Sequence, residues 1–295
     1  MKALTFGSVI TAMVTPFHDD GKVNFQKAQE LAQYLLENGS DSLVVSGTTG
    51  ESPTLSFQEK IDLFSAVKES VNGKGYVIAG TGTYSTEESV ELSKAAAKAG
   101  ADGLMLVVPY YNKPTQEGLY RHFKTVAQST GLPVILYNIP SRTSCNLLPE
   151  TVQRLSEIEN IIGIKESVGN IDQLSQLRKM VGNDFAIYSG DDSATLPMLA
   201  LGGTGVISVA AHLVGKRIKT MINLFKSGDT KQALDLHLEL FDLFKGLFIT
   251  TSPILIKTAL NMLDWNLGGL RSPLSEATEK EKIFMENLLK RYRLK

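Results

Sequence analysis

One cysteine, Cys145, and one tryptophan occur in 295 residues. A lone thiol excludes an intrachain disulfide framework. Cys145 follows a predicted strand-end loop without a basic partner in a Cys/His motif, so it reads as an ordinary small residue rather than a nucleophile. The four histidines, His18, His122, His212 and His237, lie far apart with neither HxH nor HExxH spacing. No metal site is expected, and each reads as a surface or packing residue. Charge of one sign is also missing. Thirty basic against 31 acidic residues leave a formal net charge of −1. With no basic block, neither nucleic acid nor an anionic membrane is expected as a partner. The longest apolar runs reach about ten residues, too short to span a bilayer. Met1–Gly7 contains no apolar h-region, so a signal peptide is not expected and a cytoplasmic location is.

What is present is an ordinary globular composition, 43% hydrophobic and 21% charged, with enough apolar mass for a large core. Short β-branched runs recur at Ser8–Val14, Ser42–Ser46, Tyr76–Gly80, Gly103–Val108, Val134–Ile139, Ile161–Lys165, Phe185–Ser189 and Gly205–Val209. Most are continuously apolar, as parallel strands buried on both faces should be. Helix-like stretches separate them, and eight strand–helix units predict an α/β protein with a closed (β/α)8 TIM barrel. A doubly wound sheet would place a glycine fingerprint after its first strand, where Thr15-Pro16-Phe17 stands instead. The barrel is expected to occupy 1–227. Residues 228–295, rich in Leu, Lys, Glu and Ala, are expected to form a C-terminal helical appendage, although Leu234, Leu236, Leu238 and Leu240 alternate as a strand would.

In such a barrel the chemistry sits at the C-terminal ends of the strands and in the loops that follow. Lys165 stands out there, since no other lysine falls within a predicted strand. Burial disfavours an ammonium and frees an amine that can attack a carbonyl. Pairing with Glu166 is geometrically poor, because neighbouring strand residues point to opposite faces. Thr49, Tyr111 and Tyr137 fall in nearby windows, and their hydroxyls could relay protons as a carbinolamine forms and dehydrates. Thr48-Thr49-Gly50 offers hydroxyls and backbone N–H groups suited to a carboxylate. Arg142, the only arginine in the windows, has the planar fork that a second carboxylate would use. Asp191 and Asp192 stand where many barrels hold a phosphate, and two carboxylates there would repel one, so an unphosphorylated substrate bearing a carboxylate is expected. A divalent cation on these aspartates is the lesser alternative, with no further ligand nearby.

Four motifs, Gly47-Thr48-Thr49-Gly50-Glu51-Ser52, Pro109-Tyr110-Tyr111-Asn112, Tyr137-Asn138-Ile139-Pro140-Ser141-Arg142-Thr143 and Gly163-Ile164-Lys165-Glu166, together resemble those of the pyruvate-dependent class I aldolases typified by dihydrodipicolinate synthase and N-acetylneuraminate lyase. The resemblance runs in order over nearly the whole chain. It implies a lyase in which Lys165 forms an imine with pyruvate, needing no cofactor. Thr48 and Thr49 would hold the pyruvate carboxylate. Thr49, Tyr137 and Tyr111 would relay protons, with Tyr111 supplied by a neighbouring subunit of a homotetramer built from two dimers. Gly190 and Ile207 would give backbone contacts near pyruvate. Ser141-Arg142-Thr143 is similar to the dihydrodipicolinate synthase branch, which implies that Arg142 binds L-aspartate-4-semialdehyde and that the product is 4-hydroxy-tetrahydrodipicolinate, on the route to diaminopimelate and lysine. The alternatives are an N-acetylneuraminate lyase or a 2-keto-3-deoxy sugar acid aldolase using the same imine.

Two departures from the family pattern stand out. In lysine-inhibited members an effector pocket contains Ser, Ala, His, Asn, Glu and Tyr, whereas the matching positions here include Ser52, Pro53, Phe57, Lys60, Tyr84, Glu88 and Tyr110. Lys60 puts a cation where a cationic effector would sit, so weak or absent inhibition by lysine is expected. Ser252-Pro253 replaces a frequent Asn-Pro, with no functional reading for Ser252.

Overall fold

The computed structural model describes residues 6–295; Met1–Thr5, most of the stretch read for a leader, lie outside the described residues. The apolar runs form eight strands: β1 (Val9–Ala12), β2 (Ser42–Val45), β3 (Tyr76–Gly80), β4 (Gly103–Val107), β5 (Val134–Asn138), β6 (Ile161–Glu166), β7 (Ala186–Ser189) and β8 (Gly205–Ser208). They pair in parallel and in sequence order, and β8 closes on β1. The fold is the expected (β/α)8 barrel, and every strand end lies within two residues of its apolar run.

Between the strands run α1 (Phe25–Glu37), α2 (Phe57–Val71), α3 (Thr86–Lys98), α4 (Gln116–Gln128), α5 (Pro140–Thr143), α6 (Pro149–Ser156), α7 (Ile171–Met180) and α8 (Thr195–Ala200); α9 (Ala211–Lys226) follows β8. Their starts follow from side-chain caps. Asn24, Ser56, Ser85, Thr115 and Asn170 each accept the otherwise orphaned N–H three residues on, and Ser56 with Glu59 closes a reciprocal capping box. α10 (Thr230–Gly246), α11 (Ile254–Met262) and α12 (Glu279–Arg291) make up the C-terminal region. The alternating leucines lie on α10. Leu240 faces the core while Leu234 and Leu238 stay exposed, so two periods overlap by chance of composition. No helix of the described residues is long and apolar enough to cross a membrane.

Alternation along the strands divides the core in two. Ile10, Val44, Ile78, Ile135, Tyr188 and Ile207 fill the barrel interior, and the outward residues meet the apolar stripes of the helices. At the N-terminal end of the barrel one device recurs. Asp41, just before β2, donates its N–H to Val9 O and accepts the Val9 N–H on Oδ2. Asp102 does the same with Val77 before β4, and Thr204 with Ile187 before β8. β2, β4 and β8 are thereby each locked to the odd strand preceding them. Asp41 also takes the Ser8 N–H and Lys219, and Asp102 takes Lys68 at 2.6 Å, so the locks carry their own counter-ions.

Candidate active site

Lys165 is the inward residue near the end of β6. Its register partners are Tyr137 on β5 and Tyr188 on β7. All three are buried, and Lys165 Nζ lies 4.2 Å from the centroid of the Tyr137 ring. The side chain runs past Gly190: a Cβ there would fall 3.0 Å from Lys165 Cε and 1.9 Å from Ser167 Oγ. Glycine at 190 therefore makes room for the lysine stem. Lys165 makes no ion pair among the described residues, because Glu166 points to the other side of the strand. There Asn138 Nδ2 meets both Glu166 oxygens, at 3.0 and 3.1 Å. Burial raises the Glu166 carboxyl to about 7, and the Asn138 amide pulls in the opposite direction. Asn138 also accepts the Leu147 N–H and meets Asn146, so the residue after Tyr137 organises the loop that carries Arg142.

A cavity of about 200 Å³ opens at the C-terminal ends of β2 to β5, lined by Thr48, Ser52, Tyr110, Tyr137 and Arg142 among others. Its walls require close backbone approach. A Cβ on Gly80 would lie 2.3 Å from Ser46 O, and one on Gly82 2.4 Å from Val107 N. Ser46, Glu51, Tyr111 and Ser144 hold left-handed backbones around this mouth. Such strain in residues bearing a Cβ gathers at functional loops. In the β2 turn, the N–H groups of Gly50, Glu51 and Ser52 fold back onto the carbonyls of Gly47 and Thr48. The N–H groups of Thr48 and Thr49 find no acceptor among the described residues. Two unpaired donors beside two hydroxyls could receive an anion.

Arg142 sits on the one-turn helix α5, exposed at the rim, and its Nη2 donates to Ser252 O at 3.3 Å. Tyr111 is 94% exposed with φ 72°, outside its own chain's cavity. Thr49 is buried beside Thr48, and Ile207 lies in the barrel interior. No hydrogen bond joins the hydroxyls of Thr49, Tyr111 and Tyr137 to one another or to Lys165 among the described residues. Of the residues matched to an effector pocket, Ser52, Pro53 and Tyr110 line the cavity. Tyr84 packs edge-on against Tyr110 with centroids 5.4 Å apart, while Phe57 is half exposed. Burial lowers the Lys60 ammonium, against the pull of Glu88.

The two aspartates after β7 do not act together. Asp191 is exposed and caps a short turn through the Ser193 N–H. Asp192 is buried. It accepts from Ser208 Oγ and from the N–H groups of Val209 and Ala210, at 3.2 and 2.9 Å, ahead of α9. Burial raises its carboxyl to about 6. The helix-start donors that hold a phosphate in other barrels are thus occupied by an internal carboxylate. The expected repulsion by an exposed pair gives way to occupancy by one residue. Among the described residues no three His, Cys, Asp or Glu side chains gather as metal ligands would. His212 is a core residue: Nδ1 faces Val209 O at 2.8 Å and Nε2 accepts the Val14 N–H, which fixes the neutral Nδ1–H tautomer.

The sequence reading did not single out Lys257. It lies on α11 with its side chain 2% exposed, paired with Glu51 at 2.9 Å. The same argument that picks out Lys165 applies to a lysine within Ile254-Leu255-Ile256-Lys257-Thr258-Ala259-Leu260, had helices been scanned as strands were.

Comparison with known proteins decides the family. A model of the dihydrodipicolinate synthetase family matches residues 5–292. The chain belongs to the dihydrodipicolinate synthetase family. A relative from Desulforamulus reducens, named 4-hydroxy-tetrahydrodipicolinate synthase, is 59% identical over 98% of both chains. A dihydrodipicolinate synthase from Cyanidioschyzon merolae, solved with lysine bound, superposes with a TM-score of 0.97 at 46% identity, covering 98% of this chain and 99% of that one. Another similar structure, at 42% identity and TM-score 0.96 over 98% of both chains, is described as the first monomeric dihydrodipicolinate synthase variant. Membership in the dihydrodipicolinate synthetase family agrees with the (β/α)8 barrel and with the motifs that line its mouth.

Proposed function

We propose that this chain condenses pyruvate with L-aspartate-4-semialdehyde to give 4-hydroxy-tetrahydrodipicolinate, in diaminopimelate and lysine biosynthesis. The observation that supports it most is the placement of Lys165. It is an inward, buried amine, unpaired among the described residues, between Tyr137 and Tyr188 at the mouth of a barrel. In this reading the Lys165 amine attacks C2 of pyruvate and water leaves to give an imine. Loss of a methyl proton gives an enamine, whose carbon bonds to the aldehyde carbon of the semialdehyde and restores the imine; the amino group of the semialdehyde then displaces the Lys165 amine at the imine carbon, closing the ring and freeing the enzyme. Thr48 and Thr49 hold the pyruvate carboxylate on the unpaired N–H groups and hydroxyls of their turn. Arg142, at the rim, receives the carboxylate of the semialdehyde. Thr49, Tyr137 and Tyr111 carry protons between the reacting oxygens and solvent. Gly190 and Ile207 border the bound pyruvate.

The proposed assembly is a homotetramer made of two dimers. Its support is Tyr111, whose strained backbone and 94% exposure suit a side chain that enters a neighbour's site. The division into a barrel at 1–227 and a helical region at 228–295, and a cytoplasmic location, complete the reading. Millimolar lysine is expected to leave initial rates within about twofold, since Lys60 repels a cationic effector; inhibition below a millimolar would count against that assignment.

Borohydride reduction in the presence of pyruvate, followed by intact mass and peptide mapping, tests the mechanism. The expected result is one pyruvate-derived adduct on Lys165. Folded protein that gives no adduct would exclude an imine.

A further inference from the structure

The Thr48–Thr49 turn is clasped by a charge pair for which the chemistry above has no use. Glu51, with φ 54°, completes the turn in the left-handed region, which is strained for a residue with a Cβ. Its carboxylate is fully buried. Oε1 accepts from Lys257 Nζ at 2.9 Å, and Oε2 accepts the Arg271 N–H at 2.9 Å. Lys257 Nζ also lies 4.0 Å from the centroid of the Phe17 ring, and Arg271 Nη1 donates to Thr54 O on the far side of the same loop. Burial draws the Lys257 ammonium below the usual lysine range, against the pull of Glu51. Lys257 belongs to the first turn of α11, just after Ser252, whose carbonyl receives Arg142. One short stretch of the C-terminal region therefore touches both loops assigned to substrate carboxylates.

A buried ion pair is a poor stabilising device, because well-packed neutral replacements are often as stable or more so. What this pair does supply is shape. With Glu51 left-handed, the N–H groups of Gly50, Glu51 and Ser52 turn inward to Gly47 and Thr48, and those of Thr48 and Thr49 remain free. We propose that Lys257 is a positioning residue, holding Glu51 so that the Thr48–Thr49 turn keeps its two free donors aimed at the pyruvate carboxylate. This rests on the reading of that turn as the pyruvate site.

The test compares wild type, Lys257→Met, Glu51→Gln and the double variant, reading the pyruvate half-saturation of the borohydride-trapped Lys165 adduct and the melting temperature. The double variant leaves no lone buried charge, so it is expected to melt close to wild type. Its pyruvate half-saturation rises about tenfold or more, while maximal trapping and the KM for the semialdehyde stay unchanged, the signature of lost binding rather than lost chemistry. Lys257→Met alone, which strands the Glu51 charge, loses both stability and pyruvate binding. A double variant that melts and saturates like wild type overturns the proposal. Should the double variant not fold, the folded fraction of Lys257→Met decides, since the half-saturation of the trapped adduct reports folded protein alone: a tenfold rise supports the proposal and an unchanged value overturns it. Wild type that traps no adduct removes the reading of the site itself, before any variant is compared.

Discussion

At the N-terminal end of the barrel, Asp41, Asp102 and Thr204 each close a two-way hydrogen-bond pair with the neighbouring strand, and the two aspartates add a lysine. At the C-terminal end, the Lys165 amine, the Tyr137 hydroxyl and the Thr48–Thr49 turn leave their donors unpaired among the described residues, and Ser46, Glu51, Tyr111, Lys113 and Ser144 hold left-handed backbones. The strands are the same; only their ends differ. Saturated polar groups hold the cylinder closed, while unsaturated ones keep a surface on which other molecules can complete the bonding. Stability and chemistry are thus separated along the barrel axis, and substitutions at the two ends should have opposite signatures.

The largest effect is expected at the C-terminal end. Lys165→Met should lower turnover by about a thousandfold or more, because the covalent route is lost. Its melting temperature should hold or rise, since a buried polar amine gives way to an apolar side chain of similar length. Calorimetry beside steady-state rates checks both, and a variant that keeps substantial turnover would end the imine mechanism. The mirror case is Asp41→Ala. It orphans the Ser8 and Val9 N–H groups and Lys219, and it should cost about 2–4 kcal/mol in urea unfolding while kcat of the folded protein is unchanged. A drop in kcat with normal stability would undo the separation drawn above. Arg142→Ala is expected to raise the KM for the semialdehyde about 10- to 100-fold and to spare the pyruvate adduct. Unchanged semialdehyde kinetics would move the substrate assignment elsewhere in the family.

The smallest effect concerns a lock at the chemical end. Burial holds the His212 imidazole down at about 4, where it bridges Val14 and Val209. An unfolded histidine titrates near 6.5, so the native state binds fewer protons between these values. The stability His212 contributes is whole above about pH 6.5 and is lost as pH falls toward 4, on the order of 2 kcal/mol by pH 5. Unfolding curves of wild type and His212→Asn should converge across that range. A constant offset between them would mean that the imidazole does not titrate as its burial requires.

The barrel itself was legible because a parallel strand buried on both faces must be apolar throughout, and eight such runs leave little choice of topology. Lys165, Tyr137, Thr48 and Arg142 were legible because strand-end windows reduce the chain to a few residues. Less was visible where a residue's meaning depends on a distant partner. Lys257 meets Glu51 across 206 positions, and Asp192 finds its donors on the far side of β8. Local features also misled the boundaries. The helix-like stretch after the eighth run is regular from Gly215 onward, yet α9 begins at Ala211 and bends at Val214. The glycine is there because a Cβ would lie 2.5 Å from Asn38 O. The single turn of α5 is too short to leave any periodic trace.

Asp192 also bears on what this barrel can become. Its carboxylate fills the donors at the start of α9 from within, so a phosphorylated aldehyde meets a site already occupied by a built-in competitor. Widening the mouth by loop substitutions leaves that competitor in place. An engineer who wants the scaffold to accept sugar phosphates has to begin with this buried residue, and to replace the three hydrogen bonds it accepts from Ser208, Val209 and Ala210.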